Sequence, residues 1–128
     1  MVAMVVGPAE SAVNNFPAAN AQATVASEAP NAAAFIVVTA IFVSLAAVAT
    51  PPAAPTQWVL RDGATGAGTI KLSGTLNCVA NSGDHIELSG LNIQMSAGNV
   101  ATLEFVAAGG ATTQQGVAMT YYPSTRLS

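Results

Sequence analysis

A chain of 128 residues is long enough for one domain with a packed core and too short for two ordinary ones. Charged residues make up 7% of it, three Lys plus Arg against six Asp plus Glu, while 52% of the letters are hydrophobic and 5% aromatic. That apolar content excludes a disordered chain, and a net charge of -3 with so few cations removes the electrostatic footprint of a nucleic-acid binder. It also leaves too little charge to keep a lone domain apart from its neighbours, so much of the surface is expected to lie against partners.

Residues Met1 to Ala19 mix a short apolar patch, Met1 to Val6, with Gly7, Pro8, Asn14, Asn15 and Pro17, and hold neither a helical nor a strand period. They are expected to form an extended N-terminal arm over 1–19, followed by a single β domain over 20–128. From Asn20 onward, apolar runs of strand length alternate with Gly, Pro, Asn, Asp and Ser. Strands are predicted at Gln22 to Ser27, Phe35 to Val48, Gln57 to Arg61, Gly68 to Val79, His85 to Leu88, Ala101 to Ala107 and Gly116 to Tyr122.

The run Ala32 to Ala49 has the length of a membrane span and carries no charge. No Lys or Arg precedes Arg61, no Trp or Tyr flanks the run, and its core is β-branched (Ile36, Val37, Val38, Thr39, Ile41, Val43). Such residues fit a pleated strand buried on both faces better than a helix, so no membrane contact is expected. Pro51, Pro52 and Pro55 then end the strand.

Further along, Asp62-Gly63 and Thr65-Gly66-Ala67-Gly68 supply turn residues, Asn81-Ser82-Gly83-Asp84 is placed to close a hairpin, and Ser96-Ala97-Gly98-Asn99 makes another turn. Ile70 with Leu72, Ile86 with Leu88, and Leu103 with Phe105 fall on one face of their strands, with Lys71, Glu87 and Glu104 turned outward. The echo of Leu72-Ser73-Gly74 in Leu88-Ser89-Gly90 is too short to define a repeat. Seven such strands in about a hundred residues predict an all-β fold, an antiparallel two-sheet β-sandwich of jelly-roll type.

Residues able to carry chemistry are few. Cys78 is the only cysteine, so a disulfide framework and a cysteine zinc site are excluded, and it reads as a small buried hydrophobe. His85, the only histidine, sits beside Asp84 at a turn exit without a nucleophile in view. Glu87 and Glu104 could face each other across neighbouring strands, but solubilising charges produce the same alternation. The glycines of Gly63 to Gly68 lack the Lys and Ser/Thr of a phosphate loop. No catalytic, cofactor or metal site is predicted, and the chain is not expected to be an enzyme.

The segments Trp58 to Ile70, Leu72 to Leu76, Ile86 to Ile93 and Ala101 to Phe105 together resemble the small β-sandwich virion proteins of tailed phages, the cement, decoration and fibre-base modules of capsids. The resemblance implies a structural protein of the virion that binds the outer capsid surface and stabilises the shell. It further implies a homotrimer, the major capsid protein as partner, and assembly in the host cytoplasm. The candidate assembly contacts are Met1, Met4, Val5, Val6 and Phe16 of the arm with Tyr121 and Tyr122. Two alternatives stand beside this one: a fibre or tail module for host or carbohydrate recognition, for which exposed aromatics are in short supply, and a small membrane protein anchored by residues 35–49.

Overall fold

The computed structural model describes residues 3–7, 9–15, 22–47, 56–108 and 113–127. Ten strands occupy them: β1 (Ala3–Val6), β2 (Glu10–Asn15), β3 (Thr24–Ala26), β4 (Ala34–Ala47), β5 (Thr56–Asp62), β6 (Thr69–Leu76), β7 (Ser82–Leu88), β8 (Ile93–Gln94), β9 (Ala101–Phe105) and β10 (Thr113–Leu127). In the first sheet β1 and β2 both pair with one side of β10, β4 pairs with its other side, and β7 and β8 pair with the far side of β4. The second sheet has the order β3-β9-β5-β6, and every pairing in both sheets is antiparallel.

β1 and β2 are one interrupted strand. Val6 lies opposite Ser124 and Glu10 opposite Tyr121, so the register slips by one residue between them. Gly7 sits in that gap, its N–H donating to Pro123 O at 2.7 Å. A Cβ on Gly7 would stand 2.6 Å from Pro123 Cγ, so any larger residue there would push the proline ring or the strand aside. The gap also explains how Pro123 occupies an inner strand, where a proline is expected to end one: its missing N–H falls where the ladder is already broken. β10 therefore runs well past Tyr122, the predicted end.

With β1–β2 and β7–β8 each counted as one broken strand, eight strands form two four-stranded sheets, and the chain changes sheet at every connection except β5–β6. This is a jelly roll, as predicted. Of the stretch 1–19, residues 3–6 and 10–15 are strands hydrogen-bonded to β10. Their partner lies at the opposite end of the chain, and no local period reveals it. Asn81, at φ 58°, helps turn the chain between β6 and β7. These strands belong to different sheets, so the expected hairpin there is instead a crossover.

β4 shows how an unbroken apolar run serves a two-faced strand. Ile36 and Val38 point into the core, and beyond Thr39 the inward set becomes Ile41, Val43, Leu45 and Ala47. The parity changes because Val38 pairs with Tyr121 while Ala40 pairs with Thr120, which leaves Thr39 as an extra, bulged residue. Its Oγ1 donates to Thr120 O at 3.1 Å, and its carbonyl accepts the Leu91 N–H at 2.9 Å. Phe35 and Val37, on the other face, are buried too. No helix among the described residues is long and apolar enough to cross a membrane. Because residues 35–47 are strand, the alternative of a helical anchor over 35–49 is overturned for them.

The second sheet contributes Trp58, Leu60, Leu76, Leu103 and Phe105 to the same core. Trp58 lies directly opposite Gly74, and a Cβ on Gly74 would come within 2.7 Å of the indole. Alanine usually improves on glycine within a strand. Here Gly74→Ala is expected to overpack the core and lower stability by about 1–3 kcal/mol, measured by urea unfolding followed through Trp58 fluorescence.

Candidate assembly surface

The candidate contacts that the structure describes lie on β1 and β10. Met1 and Phe16 lie outside the described residues. Met4, Val5 and Val6 belong to β1 and pair through their backbone with Arg126, Thr125 and Ser124. Tyr122 is half-buried on the first sheet, opposite Val37. Tyr121 corrects the sequence reading: it is 3% exposed, packs in the core, and its hydroxyl accepts the Glu28 N–H at 3.1 Å. A residue so placed cannot meet a partner. Adjacent strand residues face opposite ways, and only the tertiary structure shows which of the two tyrosines faces in.

The residues able to carry chemistry are spread over both sheets and the crossover between β6 and β7. Cys78 lies in the crossover after β6, buried among core side chains. Burial pushes its thiol up, the Asp84 carboxylate adds to this, and a hydrogen bond with the Ala47 backbone opposes both. His85 is exposed and stacks on Phe42, ring centroids 5.7 Å apart at 26°. Asp84 Oδ1 accepts the backbone N–H of His85 and not its imidazole. Glu87 is exposed on β7 of the first sheet, whereas Glu104 belongs to β9 of the second, so the two do not face each other. Among the described residues no three His, Cys, Asp or Glu side chains gather to hold a metal ion.

Glu104 departs furthest from expectation. It alternates with Leu103 and Phe105 and so leaves the core, yet it is 1% exposed, because the β5–β6 loop folds over it. Arg61 Nε donates to its Oε1 at 2.6 Å, and the Gly66 N–H donates to the same oxygen at 3.0 Å. Arg61 Nη1 donates to Gly68 O at 3.1 Å, and Thr102 Oγ1 to Gly63 O at 2.7 Å. The loop can turn so tightly because Gly63 and Gly66 adopt φ of 124° and 72°. Glu104 Oε2 has no hydrogen-bond partner.

Next in sequence to Arg61, Asp62 holds a second loop. Its carboxylate accepts the Ser96 N–H at 3.0 Å, Ser96 Oγ at 2.7 Å and Asn99 Nδ2 at 2.9 Å. Burial alone would raise its pKa, but the hydrogen bonds from Ser96 and Asn99, helped by the charge of Lys71, outweigh it and hold the carboxyl below the ordinary 3.8. The β5–β6 loop and the Ser96–Asn99 turn are thus tied by side chains of neighbouring residues. The sequence gives one signal for them: a charged pair, Arg61-Asp62, where a predicted strand passes into a predicted turn, in a chain that has few charges at all.

No family model matches the chain, and no curated protein matches it. Solved structures similar to it include the capsid asymmetric unit of cyanophage Pam1, at 21% identity and a TM-score of 0.46, covering 91% of this chain and 86% of that one. The capsid structure of Helicobacter pylori bacteriophage KHP30 is similar at 20% identity and a TM-score of 0.49, covering 100% and 99%. The Tobacco streak virus coat protein follows at 10% identity and a TM-score of 0.36, covering 94% and 85%. Likenesses of this depth assign no role.

Breaking the buried pair singly is expected to cost about 3–5 kcal/mol in Arg61→Ala or Glu104→Ala, while the double replacement Arg61→Met with Glu104→Leu recovers most of that loss. Chemical denaturation of the three variants measures it. Because the Asp62 pKa is depressed in the folded state, its stabilising effect is full above 3.8 and is lost as the pH falls through the lower folded value. Wild type is therefore expected to lose more stability than Asp62→Asn between about pH 5 and about pH 2, as thermal unfolding across that range will show.

Proposed function

We propose that this chain is a structural virion protein that binds the outer surface of a phage capsid and stabilises the shell as a cement or decoration protein. It works as a homotrimer on the major capsid protein, with the stretch 1–19 and Tyr122 supplying part of the contact through Met1, Met4, Val5, Val6 and Phe16.

One observation supports this reading above the rest, namely how little charge the jelly roll keeps for solvent. Of nine Lys, Arg, Asp and Glu side chains, Arg61, Asp62 and Glu104 are committed inside the fold, which leaves six for 6414 Å² of accessible surface. A domain that lives alone in solution needs about a quarter to a third of its surface residues charged. A subunit with neighbours does not, and jelly rolls are a common architecture of viral shells.

The test is to mix the purified protein with capsids of its own phage from which it has been removed. Expected are co-sedimentation with the capsids, a higher temperature of shell disruption, and a free mass three times the chain's 12.7 kDa. Absence of capsid binding would overturn the role, and a monomeric mass would overturn the trimer. Deleting 1–19 is unsuitable, since it strips β1 and β2 from β10. Met4→Lys and Val5→Lys alter opposite faces of β1, and at least one of them is instead expected to weaken capsid binding while leaving the circular dichroism spectrum unchanged. His85→Ala and Cys78→Ala are expected to bind capsids like wild type.

A further inference from the structure

The second sheet ends on one side in β3, of three residues, and on the other in β6, of eight. No described residue pairs with the outer edge of β6. Thr69, Ile70, Lys71, Ser73 and Thr75 are exposed along it, Ile70 at 48%. Natural proteins blunt such an edge with lysines, prolines or bulges because its free N–H and C=O groups recruit another strand. Here both devices fall on a single residue: the register passes from Leu60 opposite Leu72 to Arg61 opposite Ile70, so Lys71 is the bulged residue. Beyond it, Leu72–Leu76 is regular and holds neither charge nor proline.

The core is also thinly covered on this side of the sandwich. Leu72, Ile86, Leu88, Leu91 and Ile93 pack against it yet stay half-exposed. The charges along the seam are of opposite sign at its two ends. Lys71 lies five residues before the end of β6, and Asp84 lies two residues after the start of β7, beside the crossover. There Asp84 Oδ2 accepts the Asn77 N–H at 3.2 Å.

We propose that β6 pairs antiparallel with β6 of a second copy about a two-fold axis at Gly74, joining two four-stranded sheets into one of eight strands. In this register Leu72 lies opposite Leu76 of the second copy, and Ser73 opposite Thr75. Lys71 lies opposite Asn77, which brings its ammonium to the Asp84 carboxylate. The occupant is a second copy because a two-fold axis reverses the strand, so each copy's cationic end meets the other's anionic end twice over. The contact is independent of capsid binding and joins trimers to one another, so it goes beyond the proposed function.

The experiment uses the full chain with Cys78→Ser, so that introduced cysteines are the only ones. Ser73→Cys with Thr75→Cys is expected to give a disulfide-linked dimer on mild oxidation, and Val13→Cys, which is exposed on the other sheet, is not. In parallel, sedimentation of Lys71→Asp and of Asp84→Lys is expected to show the two-fold association weakened by on the order of ten-fold. Combining the two substitutions restores it, with circular dichroism confirming that each variant is folded. Three results would overturn the proposal: no cross-link in a folded protein, an association that the combined variant does not restore, or cross-linking to another virion protein and not to a second copy. Loss of capsid binding with the cross-link intact would count against the proposed function alone.

Discussion

The pairing of β10 with β4 is the constraint on which the rest of the fold depends. It runs from Thr113 opposite Ala47 to Thr125 opposite Ala34, and it forms the middle of the first sheet, with β1–β2 hung on one side and β7–β8 on the other. β10 also reaches the second sheet through polar side chains. Gln115, fully buried, accepts the Ala23 N–H at 2.9 Å and donates to Ala107 O at 2.7 Å, thereby joining the chain before β3 to the chain after β9. At the other end Tyr121 receives the Glu28 N–H. A buried amide that satisfies one backbone donor and one acceptor leaves little choice of sheet separation or registry, since a shift of either sheet would leave polar groups unpaired in the core.

The few charges are used in a way that the composition does not reveal. Arg61, Asp62 and Glu104 hold the β5–β6 loop and the Ser96–Asn99 turn at one end of the sandwich, although the sequence reading makes Glu104 an outward, solubilising charge. Their effect is to tie those two segments to the sheet and to leave the remaining surface still poorer in charge. Apolar side chains on β6, on β7 and in the chain after it pack against the core yet stay half-exposed.

Much of the fold is nonetheless legible in the residues. Period-two alternation at Ile70–Leu72, Ile86–Leu88 and Leu103–Phe105 is a local property, because the pleat sets neighbouring side chains on opposite faces whatever the strand pairs with. The β-branched run of β4, the turns at Asp62–Gly63 and Ser96–Asn99, and the two-sheet jelly roll follow from such signals. What escapes them is non-local or turns on a single residue. β1 and β2 find their partner more than a hundred residues away, Thr39 changes the facing of half a strand by one insertion, and Pro123 stays within a strand because a gap in its neighbour receives it.

By itself the sequence determined that the chain is all-β and that the apolar run expected as a strand over Phe35 to Val48 is one, as far as Ala47. Only the tertiary structure decided which strands are neighbours, that Tyr121 is core while Tyr122 is not, and that Glu104 is covered. The physical reason is range. Strand formation and facing are decided over a few residues, but burial and pairing depend on segments distant in the chain, and a loop folding back over one carboxylate turns a surface charge into a buried clasp.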